Sequence, residues 1–471
     1  MNRNTGAGTL SVQGNTILDQ RRAGVLLHPS SLPSATLGDD AIRFLDFLAE
    51  GGFSVWQMLP LGPVGWHASP YSLDSAFAGN PDLISPEWRK QAVASEELAG
   101  FLEKERRWLS DYALFSAIGA AMQGAPWWQW PEDLRHRNPG ALRAFGQSHA
   151  SEIEHCIRQQ YLFEQAWSSL RREAGQRGIL LYGDLPMFME ANSADVWSRP
   201  IEFRLERHGA REGQAQFVAG APPDAFTAEG QCWNNPVYDW SAMQARKFDW
   251  WLQRLEHEFS RFDLLRWDHF RGLSATWEIP AGSDENPAHA SQGEWRDVPG
   301  AALLRSLQEH LGQLPLVAEN LGVITPEVET LRHKFGLPGM HVLQFAFDSG
   351  DDNPHLPENH EQLGVVYTGT HDNNTTAGWW STLDEARKIK VMDRLGKAEV
   401  SMPQDLIATA LESTCRLAIL PMQDLLGLGA EARMNIPGKA EGQWSWSFSW
   451  EHLAQDTAKI WHERLRSAAR G

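Results

Sequence analysis

Arg266-Trp267-Asp268-His269-Phe270-Arg271-Gly272, residues 266–272, follows directly on the short apolar run Phe262–Leu265. Two other places repeat the arrangement. Ala318-Glu319-Asn320-Leu321-Gly322 follows Leu314–Val317, and Tyr367-Thr368-Gly369-Thr370-His371-Asp372-Asn373 follows Leu363–Val366. Each run reads as a buried strand, and each delivers one carboxylate just past its end: Asp268, Glu319 and Asp372. In a parallel α/β barrel the C-terminal ends of the strands converge on one mouth, where catalysis is placed. Three acids brought there suit glycoside chemistry, which needs a nucleophile, a proton donor and a stabiliser of a cationic sugar. These residues point to an enzyme acting on sugar.

Working outward, eight such runs occur: Ala23–Leu27, Ser54–Leu59, Ile179–Tyr182, Phe262–Leu265, Leu314–Val317, Met340–Phe345, Leu363–Val366 and Leu417–Leu420. Most are rich in Val, Ile and Leu without strict alternation, as expected of strands covered on both faces. Helical patterns separate several of them. Asp39 to Glu50 has apolar residues at helical spacing and acids in its first turn. Thr325-Pro326-Glu327-Val328 opens another helix, with Thr as N-cap and Pro at the first helical position. The pattern predicts one α/β unit over residues 1–471, a (β/α)8 barrel without a separable C-terminal domain. Connections too long for bare loops must carry structure of their own. Residues 61–178 are expected to form a mainly helical insertion after the second strand, with helices at Asp111–Gln123 and Ser151–Ala174. Residues 189–261 are expected to form a loop-rich insertion after the third, with loops beside the mouth over 192–235.

Bulk composition narrows the function further. With 471 residues, 42% hydrophobic, the chain can bury a large core. A net charge of −18 with no basic run argues against nucleic acid and against an anionic membrane surface. Cys156, Cys232 and Cys415 are widely separated and lack CxxC spacing, so neither a disulfide framework nor a cysteine metal site is expected. His371 lacks further ligands at metal-binding spacing. The polar first twenty residues do not read as a signal peptide. No run approaches the roughly 18 apolar residues of a membrane span, and a soluble cytoplasmic protein is the expectation. Of the 22 Trp, most are expected in the core and some as apolar platforms for sugar rings.

Further motifs now bear on identity: Gly24-Val25-Leu26-Leu27-His28-Pro29-Ser30-Ser31-Leu32-Pro33, Ser69-Pro70-Tyr71, Ser75-Ala76-Phe77-Ala78-Gly79-Asn80-Pro81, Gly183-Asp184-Leu185-Pro186, Val218-Ala219-Gly220-Ala221-Pro222-Pro223-Asp224 and Arg433-Met434-Asn435-Ile436-Pro437-Gly438. With the three acid segments, and in this order, they resemble the 4-α-glucanotransferases called amylomaltase or disproportionating enzyme. The resemblance implies a (β/α)8 barrel of the α-amylase clan with inserted subdomains and no C-terminal β-domain. It implies an enzyme that cleaves maltooligosaccharides and other α-1,4-glucans, holds part of the chain covalently and transfers it to another glucan. No metal or organic cofactor is implied.

By the same resemblance Asp268 is the nucleophile, Glu319 the general acid/base and Asp372 the acid that favours the distorted sugar. Arg266, two residues earlier and on the same face of the strand end, would keep Asp268 charged and bind a sugar hydroxyl or Asp268 itself, and His371 would donate to a hydroxyl. Tyr71 would be a stacking platform, Asp184 would bind sugar hydroxyls, and Trp233 would cover the acceptor side. The covering loop from Pro222 to Pro236, with Phe226 and Trp233, would keep water out and favour transfer. A retaining pair predicts Asp268 and Glu319 carboxyl groups about 5–5.5 Å apart.

Three positions depart from the family pattern. Asn320 stands where Asp is common, which is expected to lower the Glu319 pKa slightly. Asn234 replaces the Gly of a WGNP motif, where Asn tolerates positive φ better than most residues. Ala68 precedes Ser69-Pro70-Tyr71 where a polar residue is common. Two rival readings use the same mouth: an α-glucan hydrolase, and a non-catalytic glucan-binding protein. The full set of acids argues against the binder, which has no need of a general acid.

Overall fold

The computed structural model describes residues 16–65, 69–223, 229–283, 286–439 and 441–471. Their strands, in chain order, are β1 (Arg22–Leu26), β2 (Val55–Gln57), β3 (Leu180–Leu185), β4 (Phe217–Ala221), β5 (Gln231–Pro236), β6 (Leu264–Trp267), β7 (Ala275–Pro280), β8 (Glu294–Asp297), β9 (Leu316–Ala318), β10 (Gly339–Val342), β11 (Gly364–Tyr367) and β12 (Leu417–Pro421). Eight of them form one parallel sheet in the order β10-β11-β12-β1-β2-β3-β6-β9. Every apolar run picked out in the sequence lies on one of these eight, with ends displaced by a few residues.

The lack of alternation has a simple origin. On β12, Leu417 and Ile419 join the cluster inside the barrel, while Ala418 and Leu420 pack against the surrounding helices. Both faces are dry, so both sets are apolar. The interior cluster contains Leu26, Val55, Tyr182, Leu264, Val317, Met340, Val365 and Tyr367, which fill the barrel.

Between β9 and β10 the sheet closes through few bonds. Ala318 N donates to Pro338 O at 2.8 Å. Beyond it the Asn320 amide bridges the seam, accepting from Met340 N at 2.8 Å and donating to Glu329 Oε1 at 2.8 Å. Gly339 leaves room for this, because a Cβ there would meet Asn320 Nδ2 at 2.9 Å. The Asn320 side chain thus supplies both a donor and an acceptor to barrel closure.

The helix expected over Asp39–Glu50 forms with those ends, and Pro326–Lys334 forms with Thr325 at the N-cap position. The two helices expected after the second strand are found at Leu109–Ala121 and Ala150–Gln176. Residues 192–235 differ from the expectation of loops. They contain the helix Ala194–Ser198 and the strands β4 and β5. These strands join β7 and β8 in a second, antiparallel sheet of order β5-β4-β7-β8. Val218, Ile279, Ala215 and Ala290 form its small apolar core.

The last helix, Thr457–Ser467, packs against the helix Asp39–Glu50, with Trp461 and Phe53 rings 5.5 Å apart. Arg470 follows it and is buried, donating to the carbonyls of Leu411, Ser413, Cys415 and Arg22 at 2.7–3.0 Å. No helix among the described residues is long and apolar enough to cross a membrane.

Candidate active site

β6 ends at Trp267, and the next residue, Asp268, donates its N–H to Leu185 O at the end of β3 (3.0 Å). His269 then takes a left-handed backbone, φ 49°, which is uncommon for a side-chain-bearing residue. This turn aims the His269 N–H at Glu319 Oε2, 2.7 Å away. Leu321 N donates to Glu319 Oε1 at 3.0 Å, and the Glu319 N–H is itself bonded to Trp267 O at 3.1 Å. Backbone from two neighbouring strand ends thus fixes the Glu319 carboxyl beside the residue that follows Asp268. Burial raises its pKa to about 7. Arg266 opposes the rise, the Asp268 charge adds to it, and the two backbone donors oppose it.

Arg266 organises the other side. Its Nη1 lies 2.8 Å from both carboxylate oxygens of Asp184, and its Nη2 lies 2.9 Å from Asp268 Oδ1. Burial alone lowers an arginine pKa, but Asp184 and Asp268 outweigh it and hold Arg266 charged. Asp268 keeps 28% of its side chain exposed toward the mouth, whereas Asp184 keeps none. Asp184, expected to bind sugar hydroxyls, is fully buried here. Its oxygens are taken by Arg266 and by the Tyr71 hydroxyl, which donates to Oδ2 at 2.8 Å.

That donation fixes a tautomer. The Tyr71 hydroxyl has one hydrogen and gives it to Asp184, so His371 Nε2, 2.9 Å from the phenol oxygen, carries the hydrogen between them. The same nitrogen lies 3.4 Å from Asp372 Oδ2. Asn435 Nδ2 donates to Asp372 Oδ1 and Arg433 to the Asp372 carbonyl, both at 2.6 Å. Burial pushes Asp372 up, but His371, Asn435 and Arg266 together hold it well below the usual carboxylate range.

Trp233 reaches the mouth from β5, its ring 4.8 Å from that of His269 and nearly perpendicular to it. Asn234 has φ 64°, the left-handed conformation that the Gly-to-Asn exchange is suited to. Phe226, Asp224 and Ala68 lie outside the described residues. Near His371 a narrow cavity of about 30 Å³ is lined by His28, Asn374, Gln423, Arg433 and Met434. His28 Nδ1 and Asn374 Oδ1, both on its wall, have no hydrogen-bond partner among the described residues.

Two residues escaped the sequence reading. Trp444, at φ 62°, sets its ring 5.9 Å from Tyr71 and 5.8 Å from His371. Asp424 is buried beyond β12 and accepts from Thr368 Oγ1 and from Thr376 N and Oγ1 at 2.5–2.7 Å. It holds both ends of the loop that carries His371 and Asp372. Among the described residues, Glu329, His333 and Glu361 have potential metal-ligand atoms within 4.8 Å of one another. Arg332 bonds all three and already supplies their positive partner.

A parallel barrel with acids past the ends of β6, β9 and β11 defines the class: an enzyme of glycosidic bonds on a (β/α)8 scaffold. Comparison with known proteins makes this specific. The family profile for glycoside hydrolase family 77, described as 4-alpha-glucanotransferase, matches residues 27–96 and 88–454. The 4-alpha-glucanotransferase of Synechocystis is 42% identical over 93% of this chain and 95% of its own length. That of Thermus thermophilus is 43% identical over 90% and 94%. Among solved structures, the Streptococcus agalactiae amylomaltase in complex with acarbose superposes with a TM-score of 0.90 at 31% identity, covering 96% of this chain and all of that one. The chain belongs to the 4-alpha-glucanotransferase family.

Proposed function

We propose that the protein transfers an α-1,4-glucan segment from a donor to a glucan or glucose acceptor, with retention, through a glycosyl-enzyme on Asp268. Two carboxyl groups in unlike surroundings carry the reading. Arg266 Nη2, 2.9 Å from Asp268 Oδ1, pairs with that carboxylate and leaves it partly open to the mouth, placed to attack the anomeric carbon. Glu319, raised to about 7, keeps a proton for the leaving oxygen in neutral solution. After cleavage Glu319 is the base that takes the hydrogen of the incoming hydroxyl, and Asp268 leaves as the new bond forms.

The remaining groups position the sugar. Asp372, kept ionised, suits a ring that gains positive charge, and the His371 Nε2 hydrogen, which lies between the Tyr71 oxygen and Asp372, would be shared with a sugar hydroxyl placed there. Tyr71 stands beside both, buttressed by Asp184 rather than by solvent. The unpartnered His28 Nδ1 and Asn374 Oδ1 would accept hydrogens of donor-sugar hydroxyls in the narrow cavity beside His371. Residues 61–178 and 189–261 are insertions that flank the mouth, the first bringing Tyr71 and the second Trp233. Trp233 over His269 helps to exclude water and so favours a sugar acceptor.

Incubation with maltotriose tests this. Free glucose and a ladder of longer maltodextrins at constant total reducing ends is the expected result. Rising reducing ends with only shorter products would make the protein a hydrolase, and no change would leave a glucan binder.

A further inference from the structure

Most of the tryptophans are packed, but Trp295 remains 37% exposed. It lies on β8, whose four residues are all exposed and which forms an open edge of the small sheet. Trp277 is its cross-strand neighbour and holds the indole from one side, with ring centres 5.2 Å apart at 62°. Arg271 holds it from another, its guanidinium carbon 3.7 Å from the ring centroid. Arg271 also donates to Val323 O at 2.5 Å, and Val323 is itself 63% exposed. Arg271 lies three residues beyond Asp268 and Val323 four beyond Glu319. One arginine therefore ties an exposed indole to both loops that leave the strands bearing the reacting acids.

Position decides which end of a glucan this surface meets. Tyr71, His371 and Trp444 gather on the β2 and β11 side of the mouth. Trp295 belongs instead with β6, β9 and the sheet that carries Trp233. We propose that Trp295, with Arg271 and Val323, is a sugar platform that supports an α-1,4-glucan chain where it runs out of the acceptor side.

The chemistry fits a neutral sugar. The C–H faces of glucose pack on an indole held at a fixed tilt, and two anchored neighbours leave it little freedom to lose on binding. A protein strand is a poor occupant of this edge, because Glu294, Arg296 and Asp297 flank Trp295 and charged residues discourage edge pairing. The platform rests on the glucan-transfer reading, and the test separates the two.

Trp295→Ala and Trp295→Gln are compared with the parent chain for the KM of maltoheptaose and of glucose as acceptors, one donor being held fixed. Retardation in native gels containing soluble amylose is measured alongside. The KM for maltoheptaose is expected to rise about three- to tenfold, from the loss of one stacking contact. The KM for glucose is expected to stay within about twofold, and retardation is expected to weaken. Equal shifts for both acceptors, or unchanged retardation and unchanged maltoheptaose KM in a variant that melts like the parent, would overturn the platform. Failure of the parent chain to transfer at all would overturn the transfer reading, while amylose retardation would still report on Trp295.

Discussion

Glu319 shows how local geometry sets chemistry at the scale of a residue. Two backbone N–H groups hold its oxygens, which by itself would favour the charged form, yet burial dominates and raises its pKa to about 7. The left-handed turn at His269 makes this possible, since it delivers one of those N–H groups. Cleavage requires the protonated acid, and the proton is lost as pH rises. The kcat/KM for maltotriose is therefore expected to fall above about pH 7, approaching tenfold per unit. A rate–pH profile to pH 9 checks this, and a flat profile would remove Glu319 as the acid. Asp268, Glu319 and Asp372 were legible in the sequence because each stood just past an apolar run. Arg266 was legible because it lies two residues before Asp268. Trp444 and Asp424 were not, because their roles rest on a positive φ and on a clamp between distant loops, which no local pattern announces. Asp184 was found, but its burial and its bonds to Arg266 and Tyr71 were not visible, because both depend on tertiary packing.

At the scale of elements, strands apolar on both faces betray themselves as short apolar runs, and most of the eight barrel strands were of this kind. The second sheet was hidden for the opposite reason. β4 reads FVAGA and β5 reads QCWNNP, where Gly, Asn and Pro speak against strand, and only pairing of β4 with β5 on one side and β7 on the other makes them strands. Arg470 at the chain end is another feature set by tertiary contact alone. Its buried guanidinium satisfies carbonyls around the far end of β1 and β12, and burial lowers its pKa to about 9, which still leaves it charged at neutral pH. Arg470→Met is expected to leave those carbonyls without a donor at a net cost of about 2–4 kcal/mol, tempered by the charge no longer buried. For a chain of this size that corresponds to a few degrees in Tm, read by thermal unfolding. An unchanged Tm would mean that water replaces the guanidinium at no cost.

For the whole molecule, the barrel fixes strand ends while three separate connections bring Tyr71, Trp233 and the Asn435–Trp444 segment over them. The net charge of −18 comes without a basic run in the sequence, which suits a neutral polymer. Transfer and hydrolysis share the first half of the reaction, so the covalent intermediate is the claim on which both depend. Its most direct test uses Glu319→Gln and α-maltosyl fluoride. Fluoride leaves without an acid, and the missing base then stalls the second step. Intact mass spectrometry followed by peptide mapping is expected to find one maltosyl unit on the peptide containing Asp268. Consumption of the fluoride with no adduct, or with the adduct on another residue, would contradict the mechanism.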